Sequence, residues 1–405
     1  MAGEIKTMEG GTVTSPKGFA AGAVYAGLKT YAQDKVDLGI LMSKSPASAA
    51  GTYTTNKLRS PSVTVSQERT DKGKARAVVV NSGIANACVG EQGYKDAVAM
   101  AKKAASHIGV KEEEVLTCST GLIGVELPMA LINSGIDKIK LTEDGGHMMA
   151  RAIITTDTRT KETAVAFKLN GKTVTVGGMA KGSGMIHPNM ATMLGFVTTD
   201  AEVSPSLLRT MLKEAVEVSF NMITVDGDTS TNDTVLCLAN GASGAGPIAK
   251  GSEGAKLLQK ALTEVCTYLA KEIARDGEGA TKLIEVIVEG AKSEAEARSA
   301  ARTIASSSLV KTAVHGNDPN WGRVVAALGR SECDVDEGKI ALYINEVCIM
   351  ESGTPIAFHK DSIVASMSGP NVSFRVKLNL GKASATAWGC NMSEEYVTFN
   401  SAYHT

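Results

Sequence analysis

The stretch KGSGMIHPNMATMLGF, Lys181 to Phe196, puts glycines, a His-Pro-Asn step and an Ala-Thr pair directly before an apolar run with the composition of a buried strand. Thr192 is its chemically interesting member. A threonine hydroxyl is a weak nucleophile at its own pKa and needs a base beside it; one solution is the α-amine of the same residue, available only at a chain N-terminus. An internal Thr192 lacks that amine. Autoproteolysis would create it: Thr192 Oγ attacks the Ala191 carbonyl, the peptide shifts to an ester, and water releases a new N-terminus. That amine, with a pKa of about 8, suits a base at neutral pH. Small residues ahead of the threonine, and glycines that admit unusual backbone angles, favour such strained chemistry. A plainer reading stands beside it, because β-branched residues commonly open strands.

Other motifs fail on their spacing. DGDTSTNDTVLC, from Asp226, resembles a calcium loop except that Thr231 replaces the turn glycine and Cys237 the closing glutamate. GASGAG at Gly241 departs from the dinucleotide fingerprint, and the sequence has no Gly-Lys-Ser/Thr phosphate loop. The seven cysteines (Cys88, Cys118, Cys237, Cys266, Cys333, Cys348 and Cys390) are scattered and contain no C-x-x-C, which argues against a disulfide framework and a zinc site. His187, His315 and His359 are dispersed and read as hydrogen-bonding structural groups, with His187 shaping the turn before Thr192. No metal and no nucleotide cofactor is expected.

Alternating helices and strands must position these residues. KDAVAMAKKAASHIG, residues 95–109, has helical periodicity, and EEVLTCST then reads as a strand entering the turn TGLIG. Ser204 and Pro205 form an N-cap and first helical position for a helix through about Phe220. A longer helix runs from about Gly254 to Arg275, closed by the glycines of RDGEGA. KLIEVIVEGA is a strand, Ser293 and Glu296 make a capping-box pattern, and KIALYINEVCIM and VSFRVKLNL alternate as half-buried strands do. The fold class is therefore α/β or α+β with substantial antiparallel sheet, and a domain boundary is expected near residue 281.

At 405 residues the chain fits about two domains, on a prior of roughly 150 residues each. Lys+Arg 42 against Asp+Glu 43, with only 4% aromatics, argues against nucleic acid and anionic membranes as partners. The N-terminal residues lack a basic region followed by an apolar stretch, and no run of about 18 apolar residues occurs, so a cytosolic protein is expected.

MAKGSGMIHPNMATMLGF is similar to the signature of the ornithine acetyltransferase family, the bifunctional glutamate N-acetyltransferases of arginine biosynthesis. The resemblance continues through GGTVTSPKGFAAGAVYAGLK, NSGIANACVG from Asn81, CSTGLIG from Cys118 and ITTDT from Ile154. It extends further through NMITVDGDTSTNDT from Asn221, RDGEGATK from Arg275, HGNDPNWGR from His315 and the terminal FNSAYHT. It implies an αββα-type sandwich of an autoprocessing N-terminal-nucleophile enzyme over residues 1–280, cleaved between Ala191 and Thr192. A smaller α/β domain over 281–394 and a tail, 395–405, returning to the active site complete it.

The resemblance makes Thr192 the nucleophile and, after cleavage, the α-amine base. It assigns Thr120 and Gly121 to an oxyanion hole and Thr155, Lys181, Thr192, Glu278, Asn400 and Thr405 to substrate, with Thr158 as a rival to Thr155. Taken singly, Thr120 also reads as a turn residue, Lys181 as a solvated lysine and Glu278 as an exposed residue after a helix. The implied reaction moves acetyl from N2-acetylornithine to glutamate through an acetyl-Thr192 ester, with ping-pong kinetics and no cofactor. Some members of the family also accept acetyl-CoA as a substrate. The implied assembly is a heterotetramer of two α and two β chains. Two rivals remain: an N-terminal-nucleophile amidase or aminopeptidase with water as acceptor, and an uncleaved small-molecule-binding or structural protein.

Overall fold

In the strand Lys74–Ile84 side chains alternate between two buried environments, which fixes where this part of the sheet must lie. Ala77 and Val79 join Met100 and Ile132 in one cluster, while Val78 and Val80 join Leu116, Met179, Phe196 and Leu236 in another. A strand buried on both faces belongs between layers. The computed structural model describes residues 4–29, 35–187 and 193–402, and all statements below concern these.

The first sheet has nine strands. From one edge their order is Lys6–Thr7, Lys161–Leu169, Lys172–Lys181, Leu194–Thr199, Thr234–Ala239, Leu38–Tyr53, Lys74–Ile84 and Val115–Leu122, with Phe19–Val24 also paired to Leu38–Tyr53. Neighbours are antiparallel except for two parallel pairs, Leu194–Thr199 with Thr234–Ala239 and Lys74–Ile84 with Val115–Leu122. The 16-residue strand Leu38–Tyr53 changes register between Met42 and Ala47, so its two halves meet different partners. Strand residues from both wings of the sheet share the cluster of Val78, Leu116, Phe196 and Leu236, to which Met149 and Ile153 of the helix Gly146–Ile153 also belong. On the opposite faces, Val79 packs with helices Gly90–Ile108 and Met129–Ile136, and Val176 and Val197 pack with helices Pro205–Glu217 and Glu253–Arg275. The result is a layered helix–sheet–sheet–helix α/β arrangement.

The second sheet has seven strands in the order Ile223–Thr224, Ala383–Cys390, Leu283–Ala291, Asn371–Lys377, Ala341–Ile344, Val347–Glu351 and Thr354–Pro355. Helix Glu253–Arg275 packs on strands of both sheets, and its buried side chains belong to one apolar cluster that includes Val176 and Val286.

Several expectations need correction. KIALYINEVCIM is not one strand but a hairpin, because Asn345 and Glu346 take φ of 44° and 69° and turn the chain after Ile344. Positive φ at both central residues is what a two-residue hairpin loop demands, and Asn tolerates it best after Gly. The helix expected at 95–109 begins five residues earlier, at Gly90, and the helix opened by Ser204 stops at Glu217 before a short 3₁₀ turn, Phe220–Met222. Ser293 Oγ accepts the Glu296 N–H at 3.3 Å, while the Glu296 carboxylate turns instead to the Asp334 N–H at 3.3 Å.

Candidate active site

Thr120 and Gly121 lie at the end of strand Val115–Leu122, with Gly121 opposite Gly83 of the neighbouring strand. Gly121 has φ of 130°, and a Cβ there would overlap the Gly83 carbonyl, so the position admits only glycine. Asn232 Nδ2 donates to the carbonyls of Ala85 at 2.6 Å and Ser119 at 2.7 Å, tying both strand ends to the loop before Thr234–Ala239.

Lys181 ends the strand Lys172–Lys181 and stands opposite Leu194. It is buried, and its Nζ donates to Thr120 Oγ1 at 3.4 Å. Burial pushes the Lys181 ammonium down, against which Asp157 pulls it up. Asp157 is the organising group here. Its Oδ1 accepts from Lys161 Nζ at 2.6 Å and the Gly182 N–H at 2.7 Å, and its Oδ2 from the Thr155 N–H at 3.1 Å. Burial alone would raise this carboxyl, but the Lys161 and Lys181 ammoniums and these hydrogen bonds outweigh it and hold Asp157 well below the ordinary carboxylate range. Lys161 is shared with Asp276 at 2.6 Å, so two buried carboxylates compensate it.

Glu278 follows helix Glu253–Arg275 by three residues, and its N–H donates to the Ser183 carbonyl at 2.9 Å. A Cβ on Gly184 would overlap the Glu278 carboxylate, so that glycine is what lets the carboxylate lie against the turn after Lys181. Asn400, on the helix Glu394–Ala402, donates from Nδ2 to Glu278 Oε2 at 2.9 Å.

Thr120, Gly121, Thr155, Lys181, Glu278 and Asn400 all line one cavity, and so does Met193. Thr158 is not among its lining residues; its hydroxyl donates to the Asp276 carboxylate and its N–H reaches the same group at 3.1 Å. Ala191, Thr192 and Thr405 lie outside the described residues; Met193, the first described residue after that segment, lines the cavity. Sequence reasoning missed Asp157, Asn232 and Asp233, the last two also lining the cavity. The ITTDT and DGDTSTNDT motifs contain all three, yet only the folded contacts single them out.

The ArgJ family's sequence profile matches residues 20–405. The chain belongs to the ArgJ family. An arginine biosynthesis bifunctional protein ArgJ from Dehalococcoides mccartyi is 49% identical over 405 residues, covering all of both chains. Another, from Symbiobacterium thermophilum, is 50% identical over 397 residues, 98% of this chain and 99% of its own. A solved structure of ornithine acetyltransferase complexed with ornithine, from Mycobacterium tuberculosis, is 35% identical and covers 47% of this chain and all of that one, with a TM-score of 0.43.

In this ArgJ-family chain a short wall, Met185 to His187, precedes the Thr192 segment. Asp226, the first residue of the failed calcium pattern, uses its carboxylate to accept from the N–H groups of Met185 at 2.5 Å and Ile186 at 2.9 Å. These bonds hold Met185 at φ of 53°, a left-handed conformation unusual for that residue. Arg302 donates to His187 Nε2 at 3.2 Å, which leaves the imidazole proton on Nδ1 to reach Thr224 Oγ1 at 3.0 Å. Burial, and secondarily the Arg302 charge, push the His187 pKa down to about 4. His315 and His359 bond to Asn391 and Ser362, each at 3.1 Å. Among the described residues no helix is long and apolar enough to cross a membrane.

Proposed function

We propose that this ArgJ-family enzyme transfers acetyl from N2-acetylornithine to glutamate through an ester on Thr192, after cleaving itself between Ala191 and Thr192. The observation that carries this reading is the meeting of Thr120, Gly121, Thr155, Lys181, Glu278 and Asn400 around one cavity that Met193 also lines. Those residues come from five separate segments, and each has a chemical part in the reaction.

The Thr192 α-amine takes the hydroxyl proton as Oγ attacks the acetyl carbonyl carbon. The Thr120 hydroxyl and the Gly121 N–H serve the developing oxyanion, a task worth several powers of ten in rate. As the tetrahedral centre collapses, the C–N bond breaks, the proton passes from the Thr192 amine to the leaving ornithine nitrogen, and the acetyl ester remains. The α-amine of glutamate then attacks the ester and Thr192 Oγ recovers its proton. Lys181 supplies a cation for the α-carboxylate common to both substrates, which is why one site serves each in turn. Glu278, oriented by Asn400, pairs with the side-chain ammonium of ornithine. Thr155 and the terminal Thr405 complete the contacts. No cofactor enters the cycle, because one amide is exchanged for another; acetyl-CoA would enter as an alternative acetyl donor. The cleaved fragments stay together and pair into a cytoplasmic heterotetramer, with the boundary near 281 separating the catalytic part from a smaller domain.

Intact mass and N-terminal sequencing of the wild type beside Thr192→Ala test the reading. The expected result is two wild-type fragments, one beginning Thr-Met-Leu-Gly, and an uncut variant. Incubation with N-acetylornithine alone should add one acetyl group to that fragment, removed on adding glutamate. A single intact wild-type chain would sink the mechanism, and acetate release indifferent to glutamate would make the protein a hydrolase.

A further inference from the structure

Lys161 has no part in the cycle above and is not among the residues that line the cavity, yet its side chain has no exposed surface at all. It opens strand Lys161–Leu169, where it stands opposite Ala180, the residue before Lys181. Its Nζ donates to Asp157 Oδ1 and to Asp276 Oδ2, each at 2.6 Å. An ammonium buried this deeply is tolerated only with such partners, but one cation between two carboxylates leaves the group with an excess negative charge. Asp276 also meets Arg159 at 3.9 Å, on the side of the long helix, whereas Asp157 feels Lys161 first and Lys181 second. Asp157 thus stands between two lysines with different tasks.

Among the described residues that line the cavity, Lys181 is the one cation, and Asp233 and Glu278 are carboxylates. A guest carboxylate is therefore attracted by Lys181 and repelled by its other charged neighbours. An Asp157 closed onto Lys181 would make a neutral pair, and the charge the guest then met would be negative. Three donors hold Asp157 away from that pairing. The Gly182 N–H at 2.7 Å and the Thr155 N–H at 3.1 Å fix where the carboxylate lies, and Lys161 brings the charge that cancels it. Inside a protein, where charges are weakly screened, that cancellation decides the sign of the field a guest meets.

We infer that Lys161 is the positioning residue that makes the Lys181 end of the cavity select a carboxylate: by holding and neutralising Asp157 it keeps that anion from pairing with Lys181. The inference rests on the proposed role of Lys181 toward the α-carboxylate of the substrates. Asp276, on the other side of Lys161, balances the lysine without bearing on the guest.

Two double variants of the full-length protein test it, Lys161→Gln/Asp157→Asn and Lys161→Gln/Asp276→Asn. Each loses one buried cation and one buried anion, so the burden on the fold is alike. Titration calorimetry at fixed pH and ionic strength measures binding of L-ornithine and of L-ornithinamide, which keeps the side-chain ammonium and lacks the carboxylate. With Asp157 and Lys161 both neutralised, their opposing pulls on Lys181 vanish together, and ornithine should bind within about threefold of the wild type. With Asp157 charged and Lys161 gone, ornithine should bind about tenfold more weakly, the worth of one hydrogen bond to a charged group. Ornithinamide should bind the two doubles alike. Lys161→Gln alone should show the same selective loss of ornithine, which keeps the inference testable if one double does not fold. Equal ornithine affinity in the two doubles, or a parallel loss for ornithinamide, would mark Lys161 as merely structural and overturn the inference. The readout needs no turnover. Ornithine bound by the wild type without acetyl transfer to glutamate would strike the reaction alone, whereas no binding to the wild type up to about 10 mM would strike both.

Discussion

Lys181 is 8% exposed, and an ammonium group so placed loses much of its hydration. Asp157 lies close enough to offset part of that loss, but its hydrogen bonds go to Lys161, Thr155 and Gly182, so the lysine stays available to a guest carboxylate. Lys181→Met keeps the volume and removes the charge. It should raise KM for both N-acetylornithine and glutamate by about 10- to 100-fold, the range for a lost hydrogen bond between charged groups, with a small change in unfolding midpoint. Steady-state kinetics with each substrate varied check this, and unchanged KM values would remove Lys181 from the substrate contacts. His187 makes a pH prediction. Its pKa falls from 6.5 to about 4 on folding, so the unfolded chain binds the proton first as acid is added. Stability should therefore drop between pH 6.5 and 4, more steeply than in His187→Gln, when urea midpoints are compared across that range. That Thr120, Gly121, Thr155, Lys181, Glu278 and Asn400 would share one cavity was legible in the sequence through the resemblance their motifs carry, whereas Asp157 was not. Its importance comes from Lys161, Thr155 and Gly182 meeting it in space, and no local pattern encodes that meeting.

Among the elements, strand order has the most direct consequence for processing. Strands Leu194–Thr199 and Thr234–Ala239 are inserted between Lys172–Lys181 on one side and Leu38–Tyr53 on the other. A break between residues 191 and 192 would leave each fragment holding alternate parts of one hydrogen-bonded ladder. Separation would then expose unpaired strand edges on both pieces and the apolar faces of Phe196 and Leu236. The fragments should co-elute in size-exclusion chromatography without denaturant and resolve only once the whole fold melts in urea. Early loss of one fragment in mild urea would contradict this. The long helix, closed by the glycines of RDGEGA, and the strand Leu283–Ala291 were legible in the sequence; the folded chain adds the cap Ser252, whose Oγ accepts the Ala255 N–H at 3.1 Å. The hairpin at Asn345–Glu346 escaped because no glycine marks its turn; Asn345 and Glu346 themselves take the positive φ that the two-residue loop needs.

Across the whole molecule, helix Glu253–Arg275 is a shared member of two layers, packing on Lys161–Leu169 and Lys172–Lys181 of one sheet and on Ala383–Cys390 of the other. Its core-facing side chains lie in one continuous apolar cluster, so neither sheet can lose its packing without uncovering the other. Unfolding should be a single transition, with far-UV circular dichroism and tryptophan fluorescence coinciding. Both tryptophans, Trp321 and Trp388, lie beyond residue 281, so fluorescence changing at lower denaturant than the helical signal would mean the later part melts by itself. The same helix ends three residues before Glu278, whose carboxylate rests against Gly184 in the turn that follows Lys181. A slight tilt or slide of this rod therefore changes the span between the acid and the ammonium that face the cavity. On the proposed substrate roles of Lys181 and Glu278, substitutions far away, on the side of the helix that touches the second sheet, should retune which amino-acid length is preferred without altering any residue of the site.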